Sequence, residues 1–187
     1  MRSPWLLLVC GCAALAGCGD SRTHPPDLSV ALPPSARARQ VFPSAGLRLK
    51  APTDWQVQPG NPPLVADVRS GLASVAVWRY PRTQTLPQTR AELHTALRRL
   101  VALVRTRDTT FRLESAGVVT VAHRGALQLR GRETIDGAPR EVRSTHLYAH
   151  GAEIVIDAFA PPGQFRQVDR RVFHPLLRGL RIVTPTG

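Results

Sequence analysis

Cysteine is confined to the first eighteen residues, at positions 10, 12 and 18, and the chain beyond Cys18 has none. That excludes a disulfide framework, thiolate metal ligation and cysteine catalysis from the body of the protein. Lysine is nearly absent: Lys50 stands alone among 25 basic residues, the rest being arginine. With plentiful alanine, proline and glycine, this bias reads as the codon habit of a GC-rich genome and by itself assigns no phosphate-binding role. Acidic residues are few, 13 against 25 basic, for a formal net charge of +12. No Gly-rich phosphate loop, nucleophile elbow or Ser/His/Asp order stands out. Long hydrophobic runs are missing too. The uncharged stretch from Ser3 to Gly19 reaches only the short end of the roughly 17–25 residues that cross a bilayer, and small side chains weaken its second half.

What is present at the N-terminus is a signal-like pattern. Arg2 supplies the positive start, Trp5-Leu6-Leu7-Leu8-Val9 opens the apolar run, and small residues lead to Leu15-Ala16-Gly17-Cys18. Those four residues resemble the bacterial lipoprotein lipobox. The resemblance implies a signal peptide over residues 1–17, cleaved between Gly17 and Cys18. Cys18 would then carry a diacylglycerol thioether and lie at the extracytoplasmic face of the cell membrane. Two or more acyl chains give stable attachment where one gives only reversible binding. Export argues against nucleic acid as the target of the basic surface, and no aromatic-basic recognition motif is present. An anionic lipid surface suits the charge, as does a simply solvated domain.

Residues 18–44 carry Pro25, Pro26, Pro33, Pro34 and Pro43 among Ser, Arg and Ala, with no sustained apolar period. They read as a disordered, partly extended tether. Residues 45–187 suit one globular domain. Its opening, Gly46-Leu47-Arg48-Leu49-Lys50, alternates as a strand does, and Trp55 starts a second after a proline turn. Strands are expected over Leu64–Arg69 and over Leu72–Trp78, the latter apolar on both parities and so covered on both faces. Leu93, Ala96, Leu97, Leu100, Val101 and Val104 make one helical stripe, started by a Thr89/Glu92 capping box or, equally, by Thr85/Gln88. Five strands then follow, over Phe111–Glu114, Val118–Ala122, Ala126–Ile135, Arg140–Ala149 and Ala152–Phe159. Asp136-Gly137 and His150-Gly151 are hairpin signals. A second helix from Gln164 places Phe165, Val168, Val172, Leu176 and Leu180 on one side, kinked or split at Pro175. Arg181-Ile182-Val183 closes the domain.

This order predicts an α+β fold, a mostly antiparallel sheet packed by helices. Gly46-Leu47-Arg48-Leu49 leading into Pro52 and Trp55, a mid-chain helix, a hairpin meander and a C-terminal helix ending in Leu180-Arg181-Ile182-Val183 resemble the Mog/PsbP-like domain. Behind a lipobox and a tether they resemble the LpqN-like lipoproteins of actinobacteria. The resemblance implies an α/β/α sandwich acting as an accessory or binding module without catalysis. It implies no cofactor, and the partner would be an envelope protein or an anionic glycolipid.

The residues themselves offer little chemistry. His24 is in the tether, His94 has no helical partner for a metal, and His123 adjoins Arg124. His146 and His150 share a strand face with Tyr148 between them. At about 3.3 Å per residue they are too far apart for one zinc ion. Glu133 and Glu141 face each other across a hairpin, but neighbouring arginines favour ion pairs over raised acid pKa values. Trp55 and Trp78 read as core or turn anchors. The expectation is a monomeric binding module with no enzyme activity. The alternative is a carrier of a lipid or small apolar ligand between sheet and helix. An enzyme would need His146, His150, Glu133 and Glu141 to converge in a cleft.

Overall fold

The computed structural model describes residues 27–186. The signal, cleavage and acylation positions, Gly17 and Cys18 included, lie outside them, as does His24. Ten strands and three α-helices follow in the order β1 Arg37–Phe42, β2 Leu47–Pro52, β3 Gln56–Pro59, β4 Leu64–Ser70, β5 Ala73–Pro81, α1 Arg90–Arg107, β6 Arg112–Val121, β7 Arg124–Ile135, β8 Ala138–Ala149, β9 Ala152–Ala160, α2 Pro162–Val168, α3 His174–Gly179 and β10 Arg181–Ile182. They form a seven-stranded sheet, β3-β4-β5-β9-β8-β7-β6, and a three-stranded sheet, β1-β2-β10. Every pairing is antiparallel. The expected α+β class is the one observed.

The large sheet has two unlike faces. On the inner face Val75 and Val77 of β5, Leu147 of β8, and Ile154 and Ile156 of β9 are fully buried. They pack against Phe165, Val168, Val172 and Leu176, the stripe expected of the second helix. α2 lies on β5, β8 and β9, and α3 on β2, so the small sheet closes the far side of this core. Pro175 does not break the helical run. Asp169–Phe173 form a π-helical turn in which the His174 N–H bonds the Asp169 carbonyl, five residues back. This places Pro175 in the first turn of α3, where a missing N–H costs little.

Three expectations need correction. The tether does not extend to residue 44. Arg37–Phe42 pair with β2, and Ala31 is buried. Backbone pairing along an edge supplies order that the proline-rich composition hides. The strands expected at Phe111–Glu114 and Val118–Ala122 are one strand, β6, with a bulge between Leu113 and Ser115. Its hairpin to β7 uses Ala122 and His123 with positive φ, a turn without the usual Asn or Gly. Finally, β5 is fully covered on one face only, Ala76 alone being buried on the other. Ser74, Trp78 and Tyr80 on its outer face are half-exposed.

The cause lies in α1. Of the two helix starts the sequence offered, the Thr89/Glu92 capping box forms, with Glu92 N–H to Thr89 Oγ1 at 3.2 Å and Thr89 N–H to Glu92 Oε2 at 2.8 Å. The helix then packs chiefly on β6 and β7. Of its apolar stripe only Leu93 is fully buried, and Leu103 is 58% exposed. One helix cannot span a seven-stranded sheet, so the outer faces of β5, β8 and β9 stay partly open.

Candidate functional site

A cleft of about 1070 Å³ lies between α1 and the uncovered part of the outer sheet face. Strand alternation and register build its floor. Ser144, His146 and Tyr148 of β8 point outward with Glu153, Val155 and Asp157 of β9, pairing as Ser144 with Asp157, His146 with Val155, and Tyr148 with Glu153. Trp78 and Tyr80 of β5 stand opposite Val155 and Glu153. Their rings stack at 6.3 Å between centroids and 15° between planes, forming an aromatic wall. The facing wall comes from Leu100, Leu103 and Val104 of α1, with Arg99 and Arg107 at its margin.

A chain of hydrogen bonds runs across the floor. Glu153 Oε1 lies 2.7 Å from His146 Nδ1, and His146 Nε2 lies 2.9 Å from Ser144 Oγ. The carboxylate orients the imidazole through Nδ1 and turns the other ring nitrogen toward the serine hydroxyl. Arg82 completes the network by pairing with Glu153, its Nε 3.0 Å from Oε2, while its guanidinium sits 5.7 Å from the Tyr80 ring centroid. Burial works to raise the Glu153 carboxyl, but the bonds from His146 and Arg82 outweigh it and hold it below its usual value. Asp157 goes the other way. Burial pushes its carboxyl up, although Ser144 and Trp78 donate to it. Burial also raises the Tyr148 phenol.

A hydroxyl, an imidazole and a carboxylate in series are the ingredients of an activated nucleophile. The surroundings do not complete one. Ser144 is mid-strand, paired with Leu129 on one side and Asp157 on the other, so its neighbourhood offers no pair of free backbone N–H groups for an oxyanion. Two carboxyls, Glu153 and Asp157, share the floor with it. Such a floor is fitted to hold polar groups of a bound molecule, and the apolar helix wall to cover the rest. Among the described residues no group of three or more His, Cys, Asp or Glu is placed to hold a metal ion.

Of the four titratable residues singled out from the sequence, only His146 is in the cleft. His150 occupies the β8–β9 turn with a φ of 47°, its carbonyl accepting from Arg79 Nη2 at 3.1 Å. Glu141 is on the inner face, paired with Arg130 at 3.1 Å as the arginine-rich surroundings suggested. Glu133 is a correction. It shares a hydrogen bond with Asp108 beyond the end of α1, and burial together with that carboxylate raises it to about 7. Glu133 and Glu141 therefore do not meet. Trp55 is the core anchor expected, its Nε1 donating to the Leu32 carbonyl at 2.8 Å, whereas Trp78 is cleft wall. Sequence reasoning missed Ser144, Glu153, Asp157, Tyr80 and Arg82. The available signal was two acids four residues apart, Glu153 and Asp157, on the same parity of an otherwise apolar strand.

No family model and no curated relative matches this sequence. Solved structures do resemble the fold. The cyanobacterial PsbP of Synechocystis sp. PCC 6803 aligns with a TM-score of 0.59 at 13% identity, over 91% of this chain and 99% of that one. LpqN of Mycobacterium tuberculosis, described as involved in cell envelope biogenesis, aligns with a TM-score of 0.55 at 16% identity, over 73% of this chain and 83% of that one. A Pseudomonas aeruginosa protein of unknown function aligns with a TM-score of 0.52 at 14% identity, over 81% and 99%. At these identities the likeness concerns the fold, which is PsbP-like.

Proposed function

We propose that this protein is a membrane-anchored extracytoplasmic lipoprotein, held by acyl chains on Cys18, that acts as a non-catalytic binding module for an envelope partner. The observation that carries this reading is the open cleft between α1 and the large sheet, with an aromatic wall, an apolar wall and a hydrogen-bonding floor. That mixture suits a small amphipathic molecule, or a segment of an envelope component, better than a bare acyl chain. Seating an acyl chain there would strip water from Ser144, His146, Glu153 and Asp157 without replacing its hydrogen bonds. The likeness to LpqN, itself described as involved in cell envelope biogenesis, supports the setting. No described helix is long and apolar enough to cross a membrane; the anchor in this reading is the lipidated N-terminus.

The test is native mass spectrometry of the full chain extracted mildly from its own membranes, beside a Val155→Arg variant that fills the cleft. A defined adduct carried by the wild type and lost in the variant supports the reading. Identical spectra count against it. Incorporation of labelled fatty acid, abolished by Cys18→Ala, tests the anchor. The non-catalytic claim has its own check: a fluorophosphonate probe is expected to leave Ser144 unlabelled. Labelling that disappears in Ser144→Ala would make the cleft an active site.

A further inference from the structure

The N-terminal strap, residues 27–34, is bound to the domain by hydrogen bonds from several elements. Gln164 of α2 donates through Nε2 to the Ser29 carbonyl at 3.2 Å and accepts from the Ala31 N–H at 3.0 Å. Leu72 N–H donates to the same Ser29 carbonyl at 3.0 Å, and Ser70 Oγ accepts from Leu32 N–H at 2.9 Å. Gly71 permits this approach, since a Cβ there would collide with the strap backbone. The strap thus fixes its buried Ala31 and turns its larger apolar side chains outward. Six large hydrophobic residues are exposed among those described, and four of them, Leu28, Val30, Leu32 and Leu72, are on the strap or on the turn beneath it. Leu28 is 85% exposed. Scattered apolar residues need no explanation, but four gathered on one pinned segment do. Exposed Arg37 and Arg171 flank them, Arg37 Nη2 donating to the Arg171 carbonyl at 2.5 Å. Of the acids nearby, Asp27 is turned onto its own Ser29, and Asp54, within reach of the Arg37 charge, accepts from the Ser35 N–H at 2.9 Å.

We infer that this apolar patch with its arginine margin is a docking surface for the anionic lipid bilayer itself. The occupant follows from how near the strap is to Cys18 along the chain. Asp27 is nine residues after Cys18. At most about 3.3–3.6 Å per residue, those residues let the strap stand only some three nanometres from the anchored sulfur. The patch is therefore the part of the domain that the anchor brings first to the membrane. Leucine and valine side chains among arginines match the interfacial chemistry of a negatively charged leaflet. The orientation rests on the anchored reading, whereas the affinity of the surface does not.

Flotation with vesicles separates the two. The chain lacking residues 1–17 and carrying Cys18→Ser keeps every described residue and cannot be acylated. It is expected to float with vesicles of equal parts phosphatidylglycerol and phosphatidylcholine, weakly with phosphatidylcholine alone, and less as salt rises. In that chain Leu28→Ser with Leu32→Ser should cut binding about tenfold. Arg37→Gln with Arg171→Gln should weaken binding and flatten the salt response. All four side chains are exposed, and tryptophan emission of Trp55 reports that the strap remains seated. No flotation, or flotation unchanged by the leucine pair, overturns the inference. So does a dimer in free solution that the leucine pair converts to monomer, which would make the patch a self-interface. Flotation of the unlipidated chain without acyl incorporation at Cys18 in the full chain upholds the surface and overturns only the anchor.

Discussion

The two faces of the seven-stranded sheet use the same strands to opposite ends. Along β9, Ile154, Ile156 and Ala158 point inward and are fully buried, while Glu153, Val155 and Asp157 point outward to the cleft. The middle of the inner face, over β5, β8 and β9, is covered by α2, and α3 carries the cover on to the small sheet. The outer face is covered by one helix seated over β6 and β7. Burial without a partner costs polar groups several kcal/mol, so the polar residues are found where cover is incomplete or where, as with Arg143 and Asp169 at 2.5 Å, they meet each other. Stability resides on one side of the sheet and the proposed recognition on the other. The shared backbone keeps the binding floor rigid.

The largest effect that would break this contrast is on the inner side. Phe173→Ala should cost about 3–5 kcal/mol in urea unfolding, whereas Leu103→Ala on the cleft wall should cost under about 0.5 kcal/mol. Equal losses would mean that the cleft closes into a second core. Next is Glu133, on the outer parity of β7. Its carboxyl is raised from 4.5 to about 7, so the folded state binds more protons than the unfolded state between those values. Stability is then full below about 4.5 and declines as pH rises through about 7. After allowance for solvent screening of a half-buried group, the decline is about 1–2 kcal/mol. Glu133→Gln should flatten that slope, and a slope unchanged in the variant would assign it elsewhere. The smallest effect is at the helix start. Thr89→Ala removes half of the capping box and should cost about 1 kcal/mol. Hydrogen exchange should speed up in the first turn of α1 while the inner strands keep their protection.

Local patterns in the sequence were enough for the elements that depend on near neighbours. The Leu127 and Leu129 alternation, the Asp136-Gly137 and His150-Gly151 turns, and the helical stripe from Leu93 to Val104 all appear where their spacing puts them. The cleft could not be read that way, because it depends on where α1 settles across a sheet whose strands come from distant parts of the chain. Leu100, Leu103 and Val104 look like core in sequence and become a wall only because nothing lies beneath them. Glu133 meets Asp108 for the same non-local reason. β1 was hidden differently: Arg37-Ala38-Arg39-Gln40 has the composition of a linker, and its order comes from the ladder to β2 and from the Trp55 and Gln164 clamps on the segment before it.

The π-turn at Asp169–Phe173 sets the phase of everything after it. An α-helix advances about 100° per residue, so one surplus residue in a turn rotates the remaining side chains by about that angle. Leu176, Leu177 and Leu180 reach the small sheet because of this offset. Losing one residue there would swing Arg178 or Pro175 toward the apolar seat and carry β10 away from its partner. Length in that short stretch is therefore held as tightly as its buried side chains, and natural variants should exchange the exposed Arg170 and Arg171 far more readily than they insert or delete a residue.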